Sequence, residues 1–88
     1  DYAALGGMDA IRARGLKIPE DISIAGFDGV ELLQMCQPKL TTVAQDTARI
    51  GQEAARKLVH LIEQPRTTLP EIISISCRLI EGETVASL

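Results

Sequence analysis

Apolar residues recur at three-residue spacing through the first turns of the chain: Leu5, Met8 and Ile11, with Ala4 widening the stripe. That period predicts a helix over 2–14, with Asp1 as its N-cap. Gly15 supplies the left-handed position that ends such a helix, and Leu16 is placed to fold back onto its last turn. Gly6 and Gly7 each cost about 1 kcal/mol relative to Ala inside a helix, so close approach of another element is expected there. Pro19, Glu20 and Asp21 make a turn. The run Ile22-Ser-Ile-Ala-Gly-Phe27 then reads as a short buried parallel strand that stops at Asp28-Gly29.

Residues 30–37 have room for one or two helical turns before Pro38. Leu40-Thr-Thr-Val43 is rich in β-formers and reads as a second strand. Asp46 is the N-cap of the strongest helical pattern, Thr47 to Glu63. On it Ile50, Ala54, Leu58, Leu61 and Ile62 share one face, with Arg49, Glu53, Arg56, Lys57 and His60 mostly elsewhere. Glu53 and Lys57 are spaced for an i,i+4 ion pair, and Pro65 closes the helix. From Glu71 to Ile80 the pattern alternates in part and predicts a strand, broken in its middle. Glu81-Gly82-Glu83 reads as a turn or tail.

Helix, strand, short helix, strand, helix and strand in this order predict an α/β fold, a parallel sheet flanked by helices. Two full helices leave one side of such a sheet bare. The pattern therefore suits a fragment of a larger α/β protein better than a complete one.

Composition narrows the function. In 88 residues, 45% are apolar and 24% charged, the balance of one small globular domain rather than a disordered chain. Nine basic residues stand against twelve acidic ones, a net charge of −3, which argues against a nucleic-acid-binding surface in this segment. Tyr2 and Phe27 are the whole aromatic complement, too few for a base-stacking platform. No apolar run approaches the length of a membrane span. The chain opens on no basic and apolar leader, so no signal peptide is expected. Cys36 and Cys77 lack a metal-ligand spacing and read as free thiols of a reducing compartment, with a single disulfide as the alternative. With His60 as the one histidine, neither a metal site nor a cofactor is expected.

Chemistry has few carriers. Asp28 stands at the carboxyl end of the first strand, where ligands of open α/β sheets bind. It reads either as a turn former before Gly29 or as an acceptor for ligand hydroxyls or N–H groups. Gln45 and Asp46 follow the second strand in the same way, Gln45 as a ligand contact and Asp46 as a helix cap. Met8, Met35 and Cys36 read as core packing or as an apolar contact patch. The serines lie in no G-x-S-x-G pattern, and Gly26-Phe-Asp-Gly29 lacks the Lys and the spacing of a phosphate loop, so no enzyme is expected.

Four segments in order resemble the LacI/GalR family of bacterial transcriptional regulators. Asp1-Tyr-Ala-Ala-Leu-Gly-Gly-Met8 is similar to the family's N-D-x-x-A-x-G-x-[ML]. Gly15-Leu-Lys-Ile-Pro-Glu-Asp-Ile-Ser-Ile-Ala-Gly-Phe-Asp28 is similar to G-L-x-I-P-x-D-[IV]-S-[IV]-x-G-[FY]-D. Pro38-Lys-Leu-Thr-Thr-Val-Ala-Gln45 is similar to P-x-L-T-T-[IV]-x-Q. Gly51, Ala54 and Leu58 in the long helix, then Arg78-Leu-Ile, complete a likeness that covers nearly the whole chain.

The resemblance implies the C-terminal part of a two-lobed, periplasmic-binding-protein-like effector domain. Residues 1–43 and 77–88 would belong to the C-terminal lobe, and residues 46–74 would cross into the N-terminal lobe. It implies a cytoplasmic, effector-responsive regulator, a repressor that dimerises and binds operator DNA through a domain absent from these residues. The effector would be a sugar or a nucleobase-like molecule held between the lobes. Position by position, Asp28 matches the acidic effector contact and Gln45 a crossover residue at the cleft. Ala4, Leu5, Met8, Met35 and Cys36 match dimer-interface positions. Gly29 departs from the family, where many members carry a second acidic or polar residue. The alternative with the same fold is a periplasmic solute-binding protein of a transporter.

Overall fold

A computed structural model of the chain describes residues 1–87. Its contacts divide it into two compact units, Asp1–Gln45 with the chain from Cys77 onward, and Asp46–Ser76.

The first unit begins with helix α1 (Tyr2–Ala13), whose inward stripe is Ala4 and Met8. The helix ends as its glycine predicts. Gly15 has φ +76°, its N–H donates to Arg12 O at 2.9 Å, and the Leu16 N–H reaches Ile11 O at 3.3 Å. Strand β1 (Ala25–Asp28) follows, then a 3₁₀ turn (Glu31–Met35) and strand β2 (Thr41–Ala44). β1 starts three residues later than Ile22, where the alternation begins. At Ile24 the backbone N–H is instead taken by Thr84 O at 2.9 Å. Of the two helix glycines, Gly7 lies against Ile24, where a Cβ would meet its Cδ1 at 3.1 Å, and Gly6 faces open space.

Strand β3 (Arg78–Ile80) completes a sheet of order β1-β2-β3. β1 and β2 are parallel, in register from Ala25↔Thr41 to Asp28↔Ala44. β3 runs antiparallel to β2, with Arg78 opposite Ala44 and Ile80 opposite Thr42. The sheet is thus mixed rather than wholly parallel. The physical reason lies in the connection. The chain leaves β2 at its carboxyl end and re-enters the unit beside that same end, so it runs back along β2. A parallel third strand would need a return to the opposite end of β2. The alternating pattern from Glu71 yields a strand only where β2 offers a partner edge, at Arg78.

Ala4, Met8, Leu33 and Leu40 form the core, with Leu5, Ile18, Ile24, Val30 and Cys36 packed around them. Residues 81–84, read from sequence as a turn or tail, are stitched to β2. Gly82 N–H donates to Thr41 Oγ1 (3.0 Å), Glu83 N–H to Lys39 O (2.6 Å), and the fully buried Thr84 accepts from Thr41 N–H (3.0 Å).

Asp1 occupies the N-cap position of α1, yet its side chain makes no capping bond. The carboxylate is buried and accepts from Val30 N–H at 2.6 Å and from the Thr42 hydroxyl at 2.5 Å. It therefore ties the helix start to the loop after β1 and to the middle of β2. Truncation would leave both donors without their acceptor, the Thr42 hydroxyl fully buried and the Val30 N–H partly so. Asp1→Ala in the whole protein is expected to cost about 2–4 kcal/mol of stability, the scale of a buried charged acceptor lost from two hydrogen bonds. Urea unfolding checks this, and a loss under about 0.5 kcal/mol, the range of an ordinary surface change, would reduce Asp1 to a weak cap.

The second unit is built on helix α2 (Thr47–Glu63). Asp46 caps it, its Oδ1 accepting from Arg49 N–H at 3.1 Å. After Gln64 the chain folds back, and Thr68 Oγ1 donates to Gln64 O at 2.7 Å. The expected Glu53–Lys57 pair is replaced by two others: Glu53 contacts Arg56, and Lys57 Nζ meets Glu71 Oε1 at 3.0 Å and Leu69 O at 2.9 Å. The returning segment offers Lys57 a carboxylate and a carbonyl together, more than one neighbour on the helix supplies. Ile50, Leu58, Leu61 and Ile62, the apolar face of α2, are exposed.

Candidate effector site

The parallel pairing of β1 and β2 brings their carboxyl ends to one edge of the sheet, with Asp28 opposite Ala44 and Gln45 the next residue along. Gln45 approaches Asp28 twice. Its backbone N–H donates to Asp28 O at 3.2 Å, extending the ladder by one step, and its side-chain Nε2 donates to Asp28 Oδ1 at 2.6 Å. Asp28 itself is exposed and Gln45 half-buried. Two residues seventeen positions apart, each singled out from the sequence, thus form one hydrogen-bonded pair.

The backbone under this pair is strained. Asp28 has φ +116°, a conformation that side-chain-bearing residues adopt rarely and that costs about 1–3 kcal/mol. Gly29 follows at φ +76°, and a Cβ there would stand 2.5 Å from Ala44 Cβ and 2.6 Å from Ala44 Cα. The chain therefore turns off β1 flat against β2, which only glycine permits.

The chemistry on offer is acceptor chemistry at the open end of a parallel strand pair, where α/β folds bind polar ligands. Among the described residues no group of three His, Cys, Asp or Glu side chains is placed to hold a metal ion. Cys36 and Cys77 are both free thiols.

The apolar positions matched to a dimer interface separate. Ala4 and Met8 are core residues, Met8 only 2% exposed, packed with Leu33 and Leu40. Leu5 and Cys36 are half-buried against the same core. Met35 alone of the five stands out, 80% exposed, with Leu32 and Tyr2 also exposed. Sequence reasoning missed the buried anchor of Asp1 on Thr42 and Val30. An Asp before a helix carries the same pattern whether it caps or reaches across.

An α/β unit with its acceptor pair at the carboxyl end of a parallel strand pair has the form of a small-ligand-binding lobe. Residues 1–85 match a family model described as a periplasmic binding protein-like domain, and the chain belongs to that family. Its relatives there are LacI-family transcriptional regulators. The transcriptional repressor CytR of Escherichia coli is 52% identical over 63 residues, 72% of this chain and 18% of the repressor. A crystal structure of a LacI family transcriptional regulator from Enterococcus faecalis with bound ribose superposes with TM-score 0.90 at 38% identity. The superposition covers 100% of this chain and 33% of that one. The lac repressor dimer bound to operator and an anti-inducer gives TM-score 0.84 at 31% identity, over 99% of this chain and 30% of the repressor. The chain thus spans less than a fifth of the curated repressor and about a third of the solved regulators.

Proposed function

We propose that these residues serve in the effector-binding domain of a LacI-type transcriptional repressor, a cytoplasmic homodimer that responds to a small polar ligand and has no enzymatic activity. The observation that carries the reading is the Asp28–Gln45 pair at the carboxyl ends of β1 and β2, on the fold that the solved regulator with bound ribose shares. A carboxylate there accepts hydrogen bonds from ligand hydroxyl or N–H groups, and charged hydrogen bonds contribute about 1.5–3 kcal/mol each. The effector is a sugar or a nucleobase-like molecule. Asp1–Gln45 and the chain from Cys77 onward form its C-terminal lobe, and Asp46–Ser76 belongs to the N-terminal lobe, with the exposed apolar face of α2 packed inside that lobe. Met35, Leu5 and Cys36 contribute to the dimer contact. Operator DNA is bound through a part of the protein outside these residues, consistent with their acidic balance.

A thermal-shift screen of sugars and purine bases on the whole protein tests the reading. A ligand at a hundred times its Kd stabilises by about 2.7 kcal/mol, which raises Tm by several degrees. One sugar or purine is expected to give such a rise and to change operator affinity as well. A protein that responds to none of them, or whose operator affinity ignores the one that binds, would sink the effector reading.

A further inference from the structure

We infer that Asp1 is a positioning residue for the effector turn: it grips the chain on both sides of Asp28-Gly29 and so sets where the Asp28 carboxylate stands before a ligand arrives. The inference rests on the effector reading above and goes beyond it. Asp1 is buried, 7% exposed, and acts through the turn.

Its contacts converge on that turn. The main-chain nitrogen of Asp1 donates to Phe27 O at 2.7 Å, one residue before Asp28. Its Oδ2 accepts from Val30 N–H at 2.6 Å, one residue after Gly29. Its Oδ1 lies so close to β1 that a Cβ at Gly26 would stand 2.6 Å from it. The same Oδ1 accepts from the buried Thr42 hydroxyl at 2.5 Å, which fixes the carboxylate against the middle of β2.

The turn needs such a grip. Asp28 at φ +116° and Gly29 at φ +76° follow one another, and a side-chain-bearing residue keeps a positive φ only where its surroundings over-determine it. The β1–β2 register ends at Asp28↔Ala44, and beyond Gly29 the chain is held at Val30 by Asp1. Without that bond the turn can relax toward negative φ, and the exposed Asp28 carboxylate changes direction with it. A ligand would then have to reorder the turn as it binds, at the expense of affinity. A helix cap has no such effect, because it acts on α1 alone.

The test has two readouts on the whole protein. The first needs neither ligand nor variant: hydrogen exchange of the Val30 amide, localised by fragmentation in the mass spectrometer. It is expected to be at least about a hundredfold slower than in a free peptide. Exchange at the free-peptide rate would overturn the inference, whatever the stability of the variants. Asp1→Ser should speed that exchange, and Asp1→Asn should leave it slow.

The second readout is calorimetric titration with D-ribose. Serine still caps a helix, but it offers one oxygen, one bond shorter, to two separate donors. Asp1→Ser should weaken binding about tenfold. Asparagine restores the grip, its oxygen accepting from Val30 N–H and its amide donating to the Thr42 hydroxyl, and should bind within about threefold of the parent. Met8→Ala empties the core on α1 and lowers stability, yet should leave affinity within about twofold. Parent-like affinity in Asp1→Ser, or the same loss in Met8→Ala, would make Asp1 a structural tie alone and overturn the inference. A parent protein that takes no D-ribose speaks against ribose as effector, and the Val30 exchange in the parent and the two Asp1 variants then decides the role of Asp1.

Discussion

Asp28→Asn in the whole protein is expected to lower effector affinity about ten- to a hundredfold, because each 1.4 kcal/mol is a factor of ten and a charged hydrogen bond contributes about 1.5–3 kcal/mol. The substitution keeps the size of the side chain. It removes the charge and turns one acceptor into a donor, so a ligand hydroxyl meets an N–H where it met an oxygen. One of its two ends still serves Gln45, since the amide oxygen accepts from Nε2 as Oδ1 does. Asn also tolerates positive φ better than most residues, so the turn at φ +116° survives. Fold and operator binding are therefore expected to persist while the response to effector fades. Calorimetric titration of the variant, beside its unfolding curve, is the measurement. Unchanged affinity would make Asp28 a turn residue and nothing more.

Gly29→Ala is expected to be among the most damaging small substitutions in the first unit, at about 3–5 kcal/mol. Two costs add. An L-residue at φ +76° pays about 1–2 kcal/mol, and the new Cβ overlaps Ala44 at its Cα, a backbone atom of β2 that has no rotamer by which to move away. Relief requires prising the end of β1 from β2, which also parts Asp28 from Gln45. Effector affinity should fall with stability. Gly51→Ala is the contrasting case: it lies within α2 with nothing inside 4 Å of the added Cβ, and should stabilise by about 0.5–1 kcal/mol. Urea unfolding of the three proteins separates them. A Gly29→Ala variant as stable as the parent would show that the end of β1 moves freely and that the strain at Asp28 is not imposed by β2.

Much of this protein is legible in its sequence, and for local reasons. Asp46 and a helical apolar stripe define α2 to the residue, because a cap and a period need only neighbours in sequence. Gly15 ends α1 for the same reason. The turn at Asp28-Gly29 and its place at a strand end follow from residue type, and so does the α/β order. Asp28 and Gln45 are each recognisable as the residue after a strand.

What the tertiary structure alone decided are the matters in which one segment meets another. The alternation from Glu71 says nothing of whether an edge will be present to pair with, and β3 exists only where β2 provides one, running antiparallel because the chain returns to the end it left. Lys57 passes over Glu53 for Glu71 and Leu69, fourteen and twelve residues away, which helix spacing does not reveal. Asp1 looks like a cap and works as a buried cross-tie. Ala4 and Met8 look as suited to a partner as to a core, and packing on the sheet assigns them to the core. Periodicity and capping are properties of a few consecutive residues and are written in them. Pairing, burial and the bond from Gln45 to Asp28 depend on which distant surfaces are brought within a few ångströms, and only the folded chain brings them there.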